Sequence, residues 1–190
     1  MTISVHNDVA VPWGTIREAE DEASRVFREA GIDVEWMNCQ AVSGETLETE
    51  KSRSCREAIF PEHLQLRIVK QSVGLRPDVM GVSFLSEDGS GCQADLFYEG
   101  VEGLRQKTNA SLAIILGDVA SHEIGHLLLG TNSHAPHGVM RAVWGQDELV
   151  SVAWRTLFFS EKESARMRGR LGSAEPHGGR AAGFRRTLGD

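Results

Sequence analysis

Ser121-His122-Glu123-Ile124-Gly125-His126-Leu127-Leu128-Leu129-Gly130 is the stretch from which the fold and chemistry of this chain can be read. Two histidines stand four positions apart, with a glutamate directly after the first. On a helix, residues four apart lie one turn apart on one face, so both imidazoles can reach a single cation. The glutamate is rotated by about 100° from the first histidine. That sets its carboxylate beside water held by such a cation rather than on the cation itself, where it can accept a proton and pass it to a leaving amine. The surrounding pattern predicts a helix over Ala110 to Leu129, capped by Asn109 and stopped by Gly130. It is apolar on nearly every side, so it is expected to be central and buried.

Four of the seven histidines (His122, His126, His134 and His137) fall within 16 residues, and Glu123 is the only charged side chain between Ser121 and Met140. A catalytic zinc takes three protein ligands and keeps one position open. His122 and His126 supply two. For the third, His134 follows His126 by eight residues and can return from the loop after Gly130. His137 and Glu148 are the alternatives, Glu148 standing on the next predicted helix. One zinc per chain is expected, with Glu123 as general base of peptide-bond hydrolysis; the alternatives are a non-catalytic zinc-stabilised binding or regulatory module, which would have no use for that carboxylate, and a zinc hydrolase of a small non-peptide amide. Asp118, one turn before His122, can accept a hydrogen bond from a ligand imidazole. Tyr98 ends a predicted strand and can face an oxyanion. Arg141 can reach a substrate carboxylate. Trp144 and Trp154 are expected in the core.

Outward from this helix the elements alternate. Thr2 to Val5 reads as a strand. Thr15 to Ala30 reads as an amphipathic helix opened by a Thr15/Glu18 capping box and stopped at Gly31. Ile32 to Met37, His63 to Lys70, Met80 to Leu85 and Ala94 to Tyr98 read as strands. Ala41 to Arg56 and the stretch with Gly74 and Pro77 read as loops. Val101 to Gln106 reads as a short helix or an irregular connection, and helices are expected at about Gln146 to Leu157 and Glu161 to Leu171, the last opened by Ser160 and Glu163. The fold class is α+β: a small mixed sheet with a backing helix, a buried active-site helix and a C-terminal helix.

At 190 residues, 41% apolar and 25% charged, the chain can bury a core and is not disordered as a whole. Its net charge of −7 excludes a phosphate-coating nucleic-acid binder. No membrane span is expected. The sequence predicts one catalytic domain over residues 1–171 and a flexible tail rich in glycine and arginine over 172–190. The N-terminal residues show no basic and then apolar leader, which points to the cytoplasm as written, or to a secreted or periplasmic site for a mature form. The three cysteines lack metal-ligand spacing. A Cys39–Cys55 bridge is open to an exported protein; the other reading is three half-buried thiols.

His122 to His134, with Gly130 between them, followed by Gly138-Val139-Met140, resembles the metzincin-type zinc peptidases. More narrowly it is similar to small, largely uncharacterised bacterial zinc peptidases with H-E-x-x-H-L-L-L-G and a G-[IV]-M turn. The usual pattern is H-E-x-x-H-x-x-G-x-x-H. Here the glycine comes one residue late and the histidine two late, with Asn132 at the usual third-ligand position. Met140 lies 18 residues after His122, the separation seen in matrix-metalloprotease-like members. The resemblance implies a zinc metalloendopeptidase of zincin-like fold, with Met140 in a Met-turn beneath the metal. It also implies a peptide or protein substrate paired with an edge strand. The chain is expected to act as a monomer, without nucleic-acid or membrane partners.

Overall fold

The computed structural model describes residues 1–39, 54–71 and 79–173. Among these, five strands and five helices follow in the order β1 (Thr2–Asn7), α1 (Trp13–Glu29), β2 (Glu35–Cys39), β3 (His63–Val69), β4 (Gly81–Phe84), β5 (Gln93–Phe97), α2 (Tyr98–Arg105), α3 (Leu112–Leu129), α4 (Gln146–Ala153) and α5 (Glu161–Ser173). The sheet order is β2-β1-β3-β5-β4. The first four strands run parallel, and β4 pairs antiparallel with β5 at the edge. The α+β architecture with a mixed sheet is therefore as the sequence predicts.

Side-chain alternation explains how the sheet finds its core. Leu64, Leu66 and Ile68 of β3 point one way, and the register sets Ile3, Val5, Ala94 and Leu96 of the neighbouring strands beside them. All seven are buried. This apolar face packs against Ile16 and Ala19 of α1 and Leu116 and Ala120 of α3. α1 and α3 lie close because of Gly117, where a Cβ would stand 2.5 Å from the Ala19 carbonyl oxygen. α3 is long and apolar enough to cross a membrane by length and composition, but here it is mostly buried inside the fold.

Both ends of α3 are held. Ser111, not Asn109, caps the N-terminus, its hydroxyl accepting from the Ile114 N–H at 3.3 Å. At the other end Gly130 adopts the left-handed conformation, φ 63°. The Arg170 guanidinium of α5 donates to the last carbonyls, Leu127 O and Leu128 O at 3.3 Å each, and to Gly89 O in the β4–β5 turn at 3.0 Å.

Several local expectations change. α1 begins at Trp13, through Gly14, with Pro12 at the N-cap and no side-chain cap bond. The Asn7 amide brackets Val11 N and O, at 3.0 and 2.8 Å, and so orders the preceding turn without the Thr15/Glu18 box. Tyr98 opens α2 instead of ending β5. Trp154 is 76% exposed, because α4 ends at Ala153 and leaves the ring outside the core; Trp144 is buried. The Ser160/Glu163 box does form at the start of α5. That helix runs to Ser173, two residues past the expected domain end, and the predicted tail from residue 174 lies outside the described residues. So do residues 40–53 and 72–78, which take in most of the two predicted loops. Cys39 and Cys55 are joined by a disulfide, with Cα atoms 5.8 Å apart.

Asp118 is fully buried on α3, and neither carboxyl oxygen has a hydrogen-bond partner among the described residues. Burial pushes its pKa well above the usual carboxylate range, and the neighbouring Glu22 adds to this against Arg25 and Arg155. Glu22, also fully buried, is itself paired with both arginines. A raised folded-state pKa gives stability that is complete below the unfolded pKa and is lost as pH rises through the raised value. Asp118→Asn is therefore expected to flatten the fall of Tm as pH rises above about 4, leaving the variant more stable than wild type at the upper end. Thermal unfolding across that range checks this; parallel curves for the two proteins would contradict it.

Candidate metal centre

α3 brings His122 and His126 onto one face, and the chain after Gly130 returns to fix both rings. Nδ1 of His122 lies 2.6 Å from Val139 O, and Nδ1 of His126 lies 2.8 Å from Thr131 O. A carbonyl oxygen only accepts, so each Nδ1 must carry the proton. In the neutral rings each Nε2 is then a bare lone pair. The two Nε2 atoms lie 3.0 Å apart. Burial, then His126, holds the His122 pKa down to about 3, and burial lowers that of His126 as well. Two unprotonated acceptors facing each other at this distance repel unless a cation stands between them.

His134 completes the cluster from the loop. Its ring centroid lies 5.3 Å from that of His122 and 4.8 Å from that of His126. The candidate ligand atoms of these three histidines all lie within 4.8 Å of one another. His137 is exposed on the same loop and outside the cluster. Glu148 is outside it too: its carboxylate accepts from Arg141 Nη1 at 2.5 Å and from Gly145 N at 3.0 Å, capping α4.

Glu123 points to the other side, against edge strand β4. The Ser83 hydroxyl donates to both Oε2 and the backbone O of Glu123, each 2.7 Å away, in one shared bond. Gly81 leaves room for the side chain, since a Cβ there would stand 2.6 Å from Glu123 Cγ and Oε1. Burial raises the Glu123 pKa to about 7, opposed by the Ser83 bond. Beneath the histidines, Met140 is buried, and its Sδ would lie 2.7 Å from a Cβ on Gly125, so the thioether packs against the helix between His122 and His126. The Trp144 indole N–H donates to Val139 O at 3.3 Å, and its ring meets His122 edge-on at 6.4 Å.

A cleft of about 710 Å³ opens over this group, lined by Gly81 to Ser83, the three histidines, Glu123 and the stretch from Arg141 to Trp144. A second cleft of about 610 Å³ runs over Phe84, Leu85 and Phe60 and shares Ser83 and Asn132 with the first. Two expected participants do not join. Asp118 bonds neither imidazole, because backbone carbonyls hold both Nδ1 atoms. Tyr98 does not line the cleft; its hydroxyl donates to Glu102 at 3.0 Å, one turn along α2. Sequence reading missed Ser83, Gly81 and the Arg141–Glu148 pair. Nothing local marks a serine and a glycine on a short strand as neighbours of a helix some forty residues on.

A solved structure shares this fold. It is a zinc-dependent peptidase from Methanocorpusculum labreanum (strain Z), 17% identical, aligned over 87% of this chain and 99% of that one with a TM-score of 0.56. No protein-family model and no curated protein matches the sequence.

Ser83→Ala is expected to cost about 1–2 kcal/mol of stability at neutral pH, because it strips a buried carboxyl of a side-chain donor. Urea unfolding measures this, and an unchanged midpoint would show that the hydroxyl does not hold Glu123.

Proposed function

We propose that this chain is a zinc-dependent endopeptidase of metzincin-like type. The observation that carries the reading is the pair of facing Nε2 lone pairs, 3.0 Å apart, with both Nδ1 protons committed to carbonyls. This donor set suits one cation. Three neutral imidazoles, with a carboxyl nearby but not among them, match a zinc site that keeps a position open. His122, His126 and His134 would hold the ion. The backbone carbonyls of Val139 and Thr131 orient the first two rings, the role outer-shell acceptors serve at metal sites.

When bound, zinc supplies Lewis acidity that polarises a carbonyl and makes water more acidic. The chain supplies the rest. Glu123, braced by Ser83 through Oε2, keeps Oε1 free to take a proton from the attacking water and to hand it to the departing amide nitrogen. A carboxyl whose proton affinity lies near neutrality does both steps well. Met140 gives the site an apolar floor, consistent with the Met-turn of the resembled family. The two clefts meet at Ser83 and Asn132 beside the histidines. A substrate could thus extend both ways from the scissile bond, which favours an internal bond over a chain end. Edge strand β4 offers backbone groups for an extended peptide. The likeness to a solved zinc-dependent peptidase agrees with this reading. The Cys39–Cys55 bond supports work in an oxidising compartment, where such bonds persist.

Metal analysis should find one zinc per chain in wild type and in His137→Ala. His122→Ala, His126→Ala and His134→Ala should each lose it at low micromolar free zinc. Equal loss in His137→Ala, with none in His134→Ala, would move the third arm. Glu123→Gln should keep zinc and lose hydrolysis of a peptide library by roughly a hundredfold or more. Undiminished turnover in that variant would overturn the general-base role.

A further inference from the structure

We propose that Arg141 is a specificity residue that selects a carboxylate on the peptide, beside the bond to be cut. This rests on the peptidase reading and adds the chemical class of its substrate. Arg141 follows directly on the turn that holds His122. Val139, whose carbonyl accepts from His122 Nδ1, is two residues earlier, so the two Cα atoms are no more than about 7 Å apart. The turn is pinned by Ala135 N to Met140 O at 2.8 Å and Arg141 N to Gly138 O at 3.1 Å. The backbone that carries the guanidinium is therefore as well placed as the histidine itself.

The side chain is held from behind. Glu148, 5% exposed, accepts from Nη1 at 2.5 Å and is itself anchored by Gly145 N. Nε and Nη2 have no hydrogen-bond partner among the described residues, and the side chain is 37% exposed where it lines the cleft. A guanidinium with one edge fixed and other donors free is prepared for a carboxylate, which it can bind through two parallel bonds. The wall beside it is Ala142, Val143, Trp144 and Leu149, which compete for no ionic bond. Apart from the site histidines, the other charged groups lining this cleft are Lys107, a second cation, and Glu123. Lys107 is offset by Glu123 in this cleft as Arg141 is by Glu148, so selection rests on the free Nε and Nη2 donors rather than on net charge.

Two sources offer a carboxylate: an acidic side chain, or the C-terminus of a short peptide. Fluorescence anisotropy with zinc-loaded Glu123→Gln protein distinguishes them without turnover. The probes are one labelled apolar peptide and its single Glu substitutions, each C-terminally amidated, and the unsubstituted peptide with a free C-terminus. One of these carboxylate probes is expected to bind about tenfold more tightly than its Gln or amide counterpart. Adding Arg141→Gln should bring that ratio to near one while zinc content stays at one per chain. In wild type, kcat/KM should show the same preference, expressed in KM. Equal binding of charged and neutral probes, or a preference that survives Arg141→Gln, overturns the proposal. Selective binding that Arg141→Gln abolishes, with no hydrolysis of any probe by wild type, upholds it and overturns the peptidase reading instead.

Discussion

Two backbone carbonyls, those of Val139 and Thr131, decide the state of this site. Each takes the Nδ1 proton of one histidine and so turns the opposite nitrogen into a lone pair aimed at its twin. A helix alone would set the two rings on one face but leave their tautomers and rotation free. The loop after Gly130 removes that freedom, and the loop itself depends on the left-handed glycine that lets the chain double back. The geometry of the two facing lone pairs is thus a property of a helix and its return loop taken together.

The rest of the fold serves to keep that pair in register. The sheet and α1 bury the back of α3, with Gly117 allowing the close approach. Arg170 reaches from the last helix to the end of α3 and the β4–β5 turn, so it ties the wall of the cleft to the element that bears the histidines. Glu123 is placed by the edge strand rather than by its own helix. Its carboxyl fits only because residue 81 lacks a side chain and residue 83 offers a hydroxyl. The site has two halves, then: histidines held by the loop and a carboxyl held by the sheet.

Much of the fold was legible because its periodicities are strong. The alternation of Leu64, Leu66 and Ile68 and the apolar spacing of α1 give the right elements, with ends shifted by a few residues. The errors share one cause. The Thr15/Glu18 box, the Asn109 cap and the strand ending in Tyr98 are local signals, and each lost to a neighbouring alternative: the Asn7 bracket, the Ser111 hydroxyl and the start of α2. Trp154 was expected inside on hydrophobicity alone, but a short helix turned its ring to solvent. Asp118 has the spacing to serve His122, yet the imidazole protons were already taken by carbonyls.

The sequence by itself determined the helix and set its two histidines on one face with the glutamate next along the chain, because 3.6 residues per turn translates spacing directly into position. It favoured His134 as the third arm, with His137 and Glu148 as alternatives. Tertiary structure made that choice of neighbours, drawing His134 to the pair, leaving His137 in solvent and giving Glu148 to Arg141. It also supplied Ser83 and Gly81 from a strand about forty residues away. Loop return and strand placement depend on how distant segments pack, and no local periodicity encodes that.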